Sequence, residues 1–324
     1  MSLDNALLAE ARKRIEGATK ILIVSHVGPD GDAVSSTLGL GLALKNAGKE
    51  VMMVLSDGVP PGFEHLKGIE EISRSAKSQA DLAISVDCGD LERLGDSVAK
   101  QDGVDINIDH HMTNTEFASL NIVDAEMVAS SAQMAAYLPE LGLEITEDIA
   151  SVLLTGMLTD TLGFRTSNMN SNALRLAAGL LDKGAQIQSL YEKALLRRSF
   201  EAMQYWGTAL VKLERADGMI WTTMTPEDRK IASYKRTDDG DLINSLASTE
   251  GAKITIVFIE QEDRKSVKVS WRSRGGYDVA TLAASFGGGG HRAASGASID
   301  GSLEEVQTRV LDASRLVISE QDQG

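Results

Sequence analysis

Residues 21–32, Ile-Leu-Ile-Val-Ser-His-Val-Gly-Pro-Asp-Gly-Asp, set an apolar run against a loop that carries His26, Asp30 and Asp32. Ile21 to Ser25 has the make-up of a buried strand, and Gly28-Pro29 with Gly31 supplies the turn chemistry that stops it. Ala33 to Gly48 then repeats apolar residues at helical spacing and closes on a glycine; Val51 to Leu55 is a second apolar run. Strand, loop, helix, strand is the βαβ unit of a parallel sheet, where ligands bind beyond the carboxyl ends of strands. One imidazole and two carboxylates at such an end can converge on a cation, but they do not fill its coordination shell. The reading therefore requires more His and Asp at later strand ends.

Such residues follow. Leu82 to Val86 runs into Asp87-Cys88-Gly89-Asp90, and the alternating Val104, Ile106 and Ile108 lead into Asp109-His110-His111. Helical patterns cover Leu91 to Lys100, Ser130 to Leu141, Glu147 to Leu162, which holds Asp160, and Asn172 to Lys183. Glu64 to Lys77 reads as surface connection with a short helix. Taken singly, Asp87 or Asp160 is a helix N-cap and the Asp30 and Asp32 pair a turn. Recurrence decides otherwise, because three of the five histidines and several aspartates stand at successive element ends. His26, Asp30, Asp32, Asp87, His110 and Asp160 make an oxygen and imidazole donor set that suits Mn²⁺ or Mg²⁺ better than structural zinc. Asp87 is the natural bridge between two such ions, an arrangement that serves in-line attack of a metal-activated hydroxide on phosphorus. Cys88 beside it has no catalytic Cys/His spacing and reads as a small buried side chain.

A helix-compatible stretch from about Gln186 to Lys212 has no breaker before Gly207 and reads as a linker. Beyond it, Leu210 to Glu214 and Met219 to Met224 form a hairpin pattern around Ala216-Asp217-Gly218, with further strands at Lys253 to Glu260 and Ser266 to Trp271. Tyr277 to Phe286 and Leu303 to Ile318 read as helices, followed by a frayed tail. Phe286 to Gly296, FGGGGHRAASG, is the second unusual stretch. Backbone N–H groups of Gly288, Gly289 and Gly290 can approach an anion, with His291 and Arg292 directly after. Arg272 and Arg274 bring guanidiniums to a strand end, where bidentate phosphate contact is available. The expected architecture is α/β: an N-terminal, largely parallel sheet with helices on both faces (residues 1–185), a helical linker (186–206) and a smaller C-terminal α/β domain (207–324).

Composition bounds the function. A chain of 324 residues with 43% hydrophobic content can build two cores, and no apolar run approaches the roughly 20 residues of a membrane span. The N-terminal amphipathic helix has no signal-peptide core and there is one cysteine, so the expected location is cytoplasmic. A net charge of −15 argues against a protein that coats long nucleic acids, although a concave cation site admits short anionic ligands.

The segments HVGPDGD, Asp87, DHH at 109–111 and Asp160 together resemble the successive motifs of the DHH phosphoesterases, and GGGGHRAASG with Arg272 resembles their associated C-terminal domain. Among members the chain is most similar to the short two-domain bacterial nanoRNases and 3′-phosphoadenosine 5′-phosphate phosphatases. The resemblance implies two Mn²⁺ ions, one held by His26, Asp30 and Asp87, the other by Asp32, Asp87, His110 and Asp160. It places His111 toward the substrate phosphate, with Asp109 positioning the histidines. Arg272, the glycine stretch and His291 would grip the distal phosphate or nucleotide of a short oligonucleotide, with Arg165 and Arg292 as further contacts by chemistry and position. It also admits a homodimer. Rival readings are a phosphodiesterase for cyclic di-AMP or linear pApA and, from a different class, a non-catalytic nucleotide- or RNA-binding module.

Overall fold

The structure, a computed structural model, describes residues 5–98 and 101–323. Residues 1–4 of the expected opening helix and 99–100 of the expected 91–100 helix lie outside the described residues. The chain divides into two compact units, Met1–Arg197 and Arg198–Gly324.

In the first unit, α1 (Asn5–Gly17) precedes β1 (Lys20–Val24), α2 (Gly31–Asn46) and β2 (Glu50–Val54). Then come β3 (Ile72–Ser73), β4 (Leu82–Val86), β5 (Ile106–Asp109) and β6 (Leu120–Val123), followed by α3 (Ser130–Glu140), α4 (Glu147–Asp160), α5 (Ser171–Asp182) and α6 (Ile187–Tyr191). The six strands pair in parallel in the order β3-β2-β1-β4-β5-β6. The order reverses between β1 and β4, and the crevice at their carboxyl ends is where such sheets hold ligands. β1 shows why the sheet forms: Ile21 and Ile23 enter the main core with Leu38, Leu44 and Leu153, while Leu22 and Val24 enter a smaller cluster on the other face. That second face is covered by 3₁₀ turns at Glu92–Val98, where a helix was expected, and by loop segments. Gly95 there has φ 53° and ψ −138°, which breaks the helical path. β3 and β6 are strands that the sequence reading passes over.

The second unit contains α7 (Phe200–Leu210), β7 (Glu214–Ala216), β8 (Met219–Met224), α8 (Pro226–Ile231), α9 (Leu242–Leu246), β9 (Ile254–Glu260), β10 (Ser266–Ser273), α10 (Val279–Ala284), β11 (Gly289–His291), β12 (Ala294–Asp300) and α11 (Leu303–Gln323). Its sheet runs β11-β12-β10-β9-β8-β7, antiparallel except for the β8–β9 pair. Phe258, Val269 and Trp271 pack with Val279 and Val310 in a core of its own. Three expectations are corrected. The helix-compatible stretch from Gln186 is interrupted after Leu196 and restarts at Phe200, where the Ser199 side chain caps the amide of Ala202. The glycine-rich stretch is not an open loop: Gly289 and Gly290 pair with Gly296 and Ser295. The tail expected to fray continues α11 to Gln323; Gly324 is outside the described residues.

Candidate metal centre

Three loops and one helix end carry the centre. His26 follows β1, Asp30 and Asp32 open α2, Asp87 follows β4, His110 and His111 follow β5, and Asp160 is the last residue of α4. Asp30 is the N-cap of α2, its Oδ1 accepting from the amides of Asp32 (2.9 Å) and Ala33 (3.0 Å). That cap fixes the HVGPDGD loop and leaves Oδ2 toward His26 Nε2, 4.0 Å away. Asp87 has φ 54°, a left-handed backbone that turns the chain sharply out of β4.

The side chains converge around Asp87, which is 2% exposed. Its Oδ2 lies 3.7 Å from His26 Nε2, and its Oδ1 lies 3.6 Å from His110 Nε2 and 3.9 Å from His111 Nδ1. His110 Nε2 is 3.8 Å from Asp160 Oδ2. Three ligand-like groups result: His26, Asp30 and Asp87; Asp32, His110 and Asp160; and Asp87, His110 and His111. Separations of 3.6–4.0 Å are too long for hydrogen bonds. They match donors sharing an ion, since two ligands about 2.1 Å from one cation lie roughly 3 to 4 Å apart.

The imidazoles are prepared for the same task. His26 Nδ1 donates to the Val27 carbonyl at 2.9 Å and His110 Nδ1 to the Met127 carbonyl at 3.3 Å. Each Nε2 is thereby left as the donor atom facing the carboxylates. His111 differs, because its Nδ1 donates to Asp109 Oδ1 at 2.6 Å. Asp109 is fully buried and held in turn by Asn114 Nδ2, 2.6 Å from its Oδ2, and by Gln133 Nε2 on its carbonyl at 2.8 Å.

Crowded charge shifts several of these groups. Burial works to raise Asp87, but the imidazoles of His26, His110 and His111 outweigh it and hold the carboxyl at about 2. Burial and the neighbouring carboxylates push Asp32 well above the usual range, and burial pushes Asp160 up to about 7 against the pull of His110. Burial opposes the charging of His111, yet Asp109 raises it to about 9. His26 is raised too, its burial outweighed by Asp87 and Asp30. A buried set of carboxylates that resists ionising together, with imidazole nitrogens turned inward, is the donor chemistry of a divalent-cation site. Cys88, next in sequence, is fully buried, its thiol pushed up to about 11 by burial and its Sγ donating to the Asp90 carbonyl, so it is no nucleophile.

The expected substrate residues are distributed over both units. Arg165 is exposed just beyond α4, its Nε donating to the Leu162 carbonyl. In the second unit Arg272 Nε donates to Asn244 Oδ1 and Nη1 to the Trp271 carbonyl, both at 2.9 Å. Arg272 of β10 and His291 of β11 pair with the same residue, Ala294 of β12, so their backbones share one row; the His291 side chain lies outside the described residues. Arg292 Nε is committed to the Gly276 carbonyl. Asn114 and Ser130, which hold the carboxylates of Asp109 and Asp87, and Gln133, which holds the Asp109 carbonyl, carry no mark in the sequence.

Residues 20–157 match the family described as DHH family, N-terminal domain, and residues 231–320 match the DHHA1 domain. The chain is 36% identical, over 95% of its length and 93% of the relative's, to a bifunctional oligoribonuclease and PAP phosphatase of Thermus thermophilus. It is also similar to the crystal structure of an exopolyphosphatase-related protein from Bacteroides fragilis, with 27% identity, 98% and 97% coverage and a TM-score of 0.89. A Thermus thermophilus RecJ structure with Mn²⁺ shares the fold at a TM-score of 0.52 and 16% identity, and this chain covers 55% of it.

Proposed function

The chain belongs to the DHH family of phosphoesterases, and on that premise we propose that it is a Mn²⁺-dependent hydrolase of very short oligoribonucleotides and of 3′-phosphoadenosine 5′-phosphate, acting in the cytoplasm. The observation that carries this is Asp87, whose two oxygens divide between His26 on one side and His110 on the other. His26, Asp30 and Asp87 would hold one ion, and Asp32, Asp87, His110 and Asp160 the second. When bound, the ions supply Lewis-acid charge to the phosphoryl oxygens and acidify water. Mn²⁺ fits a mixed oxygen and imidazole set better than Mg²⁺, which favours oxygen ligands and retained waters.

The remaining work belongs to the protein. Against the opposing effect of burial, the Asp109 hydrogen bond raises the His111 pKa, to about 9 in the metal-free chain, so that the imidazolium would offer positive charge to a phosphate. Asn114 holds the Asp109 carboxylate against rotation and Gln133 anchors the Asp109 backbone carbonyl, which together fix the orientation of the His111 ring. In the second unit Arg272, held at two of its three nitrogens, together with Gly288 to His291 and Arg292, would bind the distal phosphate or nucleotide. Arg165 would add a guanidinium in the first unit.

The test offers the purified protein, with Mn²⁺, 3′-phosphoadenosine 5′-phosphate, RNA dinucleotides to pentanucleotides, longer RNA and cyclic di-AMP side by side. Rates should be highest for the first and the shortest RNAs and fall with length. Fastest turnover of cyclic di-AMP or long RNA, or nucleotide binding without hydrolysis, would contradict the proposal.

A further inference from the structure

The start of α3 reaches two carboxylates of the centre at once. Asp32, 1% exposed, accepts the Ser130 amide on Oδ2 at 2.6 Å and the Ser131 amide on Oδ1 at 2.9 Å. The helix has no side-chain cap of its own at Ala129, so a residue almost a hundred positions earlier caps it. The Ser130 hydroxyl donates in turn to Asp87 Oδ1 at 2.9 Å, the oxygen that faces His110 and His111. Ser130 is fully buried, and its amide and hydroxyl hold carboxylates that arise from two different strand ends. Close packing lets the helix come this near: a Cβ on Gly156 of α4 would lie 2.6 Å from Ser131 Oγ and 2.7 Å from Ser35 Cβ of α2.

We propose that Ser130 is the positioning residue that sets Asp87 as a bridge, and that α3 thereby couples the two metal positions. A carboxylate is free to rotate about its Cβ–Cγ bond, and a bridge requires one oxygen on each side. The hydroxyl stops that rotation from the Oδ1 side. The Ser130 and Ser131 amides each occupy one lone pair of an Asp32 oxygen, which leaves its other lone pairs directed into the centre. Removing the hydroxyl leaves the amide grip on Asp32 intact, so the two effects separate. The inference rests on the two-metal reading above.

The experiment measures Mn²⁺ binding by calorimetry and the electron paramagnetic resonance spectrum of the loaded protein, for wild type, Ser130→Ala and Ser130→Thr. Wild type should take two ions and give the spectrum of an exchange-coupled pair. Ser130→Ala should bind the weaker ion about 10- to 100-fold less tightly and lose the coupled signal, while melting as wild type does without metal. Ser130→Thr, which keeps the hydroxyl, should recover both. Unchanged affinity and coupling in Ser130→Ala would overturn the inference and leave the two-metal reading standing. Failure of wild type to bind two ions would overturn that reading and the inference with it.

Discussion

Asp160 and Asp32 hold their protons more tightly in the folded, metal-free chain than free carboxyls do. Both carboxyls are raised, Asp160 to about 7, and His26 and His111 are raised as well. A group that holds its proton more tightly in the folded chain adds stability below its unfolded pKa and loses it as pH rises through the folded value. Between pH 4 and 9 all four point the same way, while Asp87, held at about 2, changes only in stronger acid. The melting temperature of the metal-free protein should therefore fall from pH 5 to pH 8. Asp160→Asn should flatten that slope, and saturating Mn²⁺, which displaces the protons of Asp160, Asp32 and His26, should flatten it further. Thermal melts with a chelator at three pH values check this; a metal-free melting temperature that climbs over the range contradicts it. At this scale the residues that converge on Asp87 were legible because each stands just past an apolar run or at a helix end. Ser130, Asn114 and Gln133 were not, since a hydroxyl or amide 43, 5 or 24 residues from its partner, respectively, leaves no periodic trace.

Among the elements, those with a strong apolar period were legible: β1, α2, β2, β4 and α4 lie within one or two residues of their expected places. Short elements were not. β3 has two residues, α8 is a short helix held by the Thr225–Asp228 capping box, and α9 is a short helix packed through Leu242, Ile243 and Leu246. The glycine run is instructive, because four glycines signal freedom, and here two of them, Gly288 and Gly290, serve close approach. A Cβ on Gly288 would lie 2.2 Å from the Gly296 carbonyl oxygen, and one on Gly290 would lie 2.5 Å from that of Ala294. Gly288→Ala should destabilise the second unit by about 1–3 kcal/mol, the usual cost of overpacking. Urea unfolding followed by Trp221 and Trp271, both in that unit's core, measures it. Mn²⁺ affinity should not change, and wild-type stability in the variant would contradict the assigned role of the glycines.

For the whole molecule, two separate cores agree with a length and apolar content that suffice for two, and the division falls between Arg197 and Arg198. Among the described residues no helix is long and apolar enough to cross a membrane. The excess of acid, −15 over the chain, repels long polyanions, while divalent ions held at the proposed centre would reverse the field locally. Global charge and local site together favour short anionic substrates. Substrate length itself has no signature in the sequence, because it depends on distances that motifs do not encode. The central claim is that Asp87 unites two metal positions in a phosphoesterase. Hydrolysis of an RNA dinucleotide in saturating Mn²⁺ by wild type and by Asp87→Ala, with folding verified by circular dichroism, tests it most directly. The account predicts a loss of at least about 10³-fold in kcat; a folded variant that turns over the dinucleotide at the wild-type rate would contradict it.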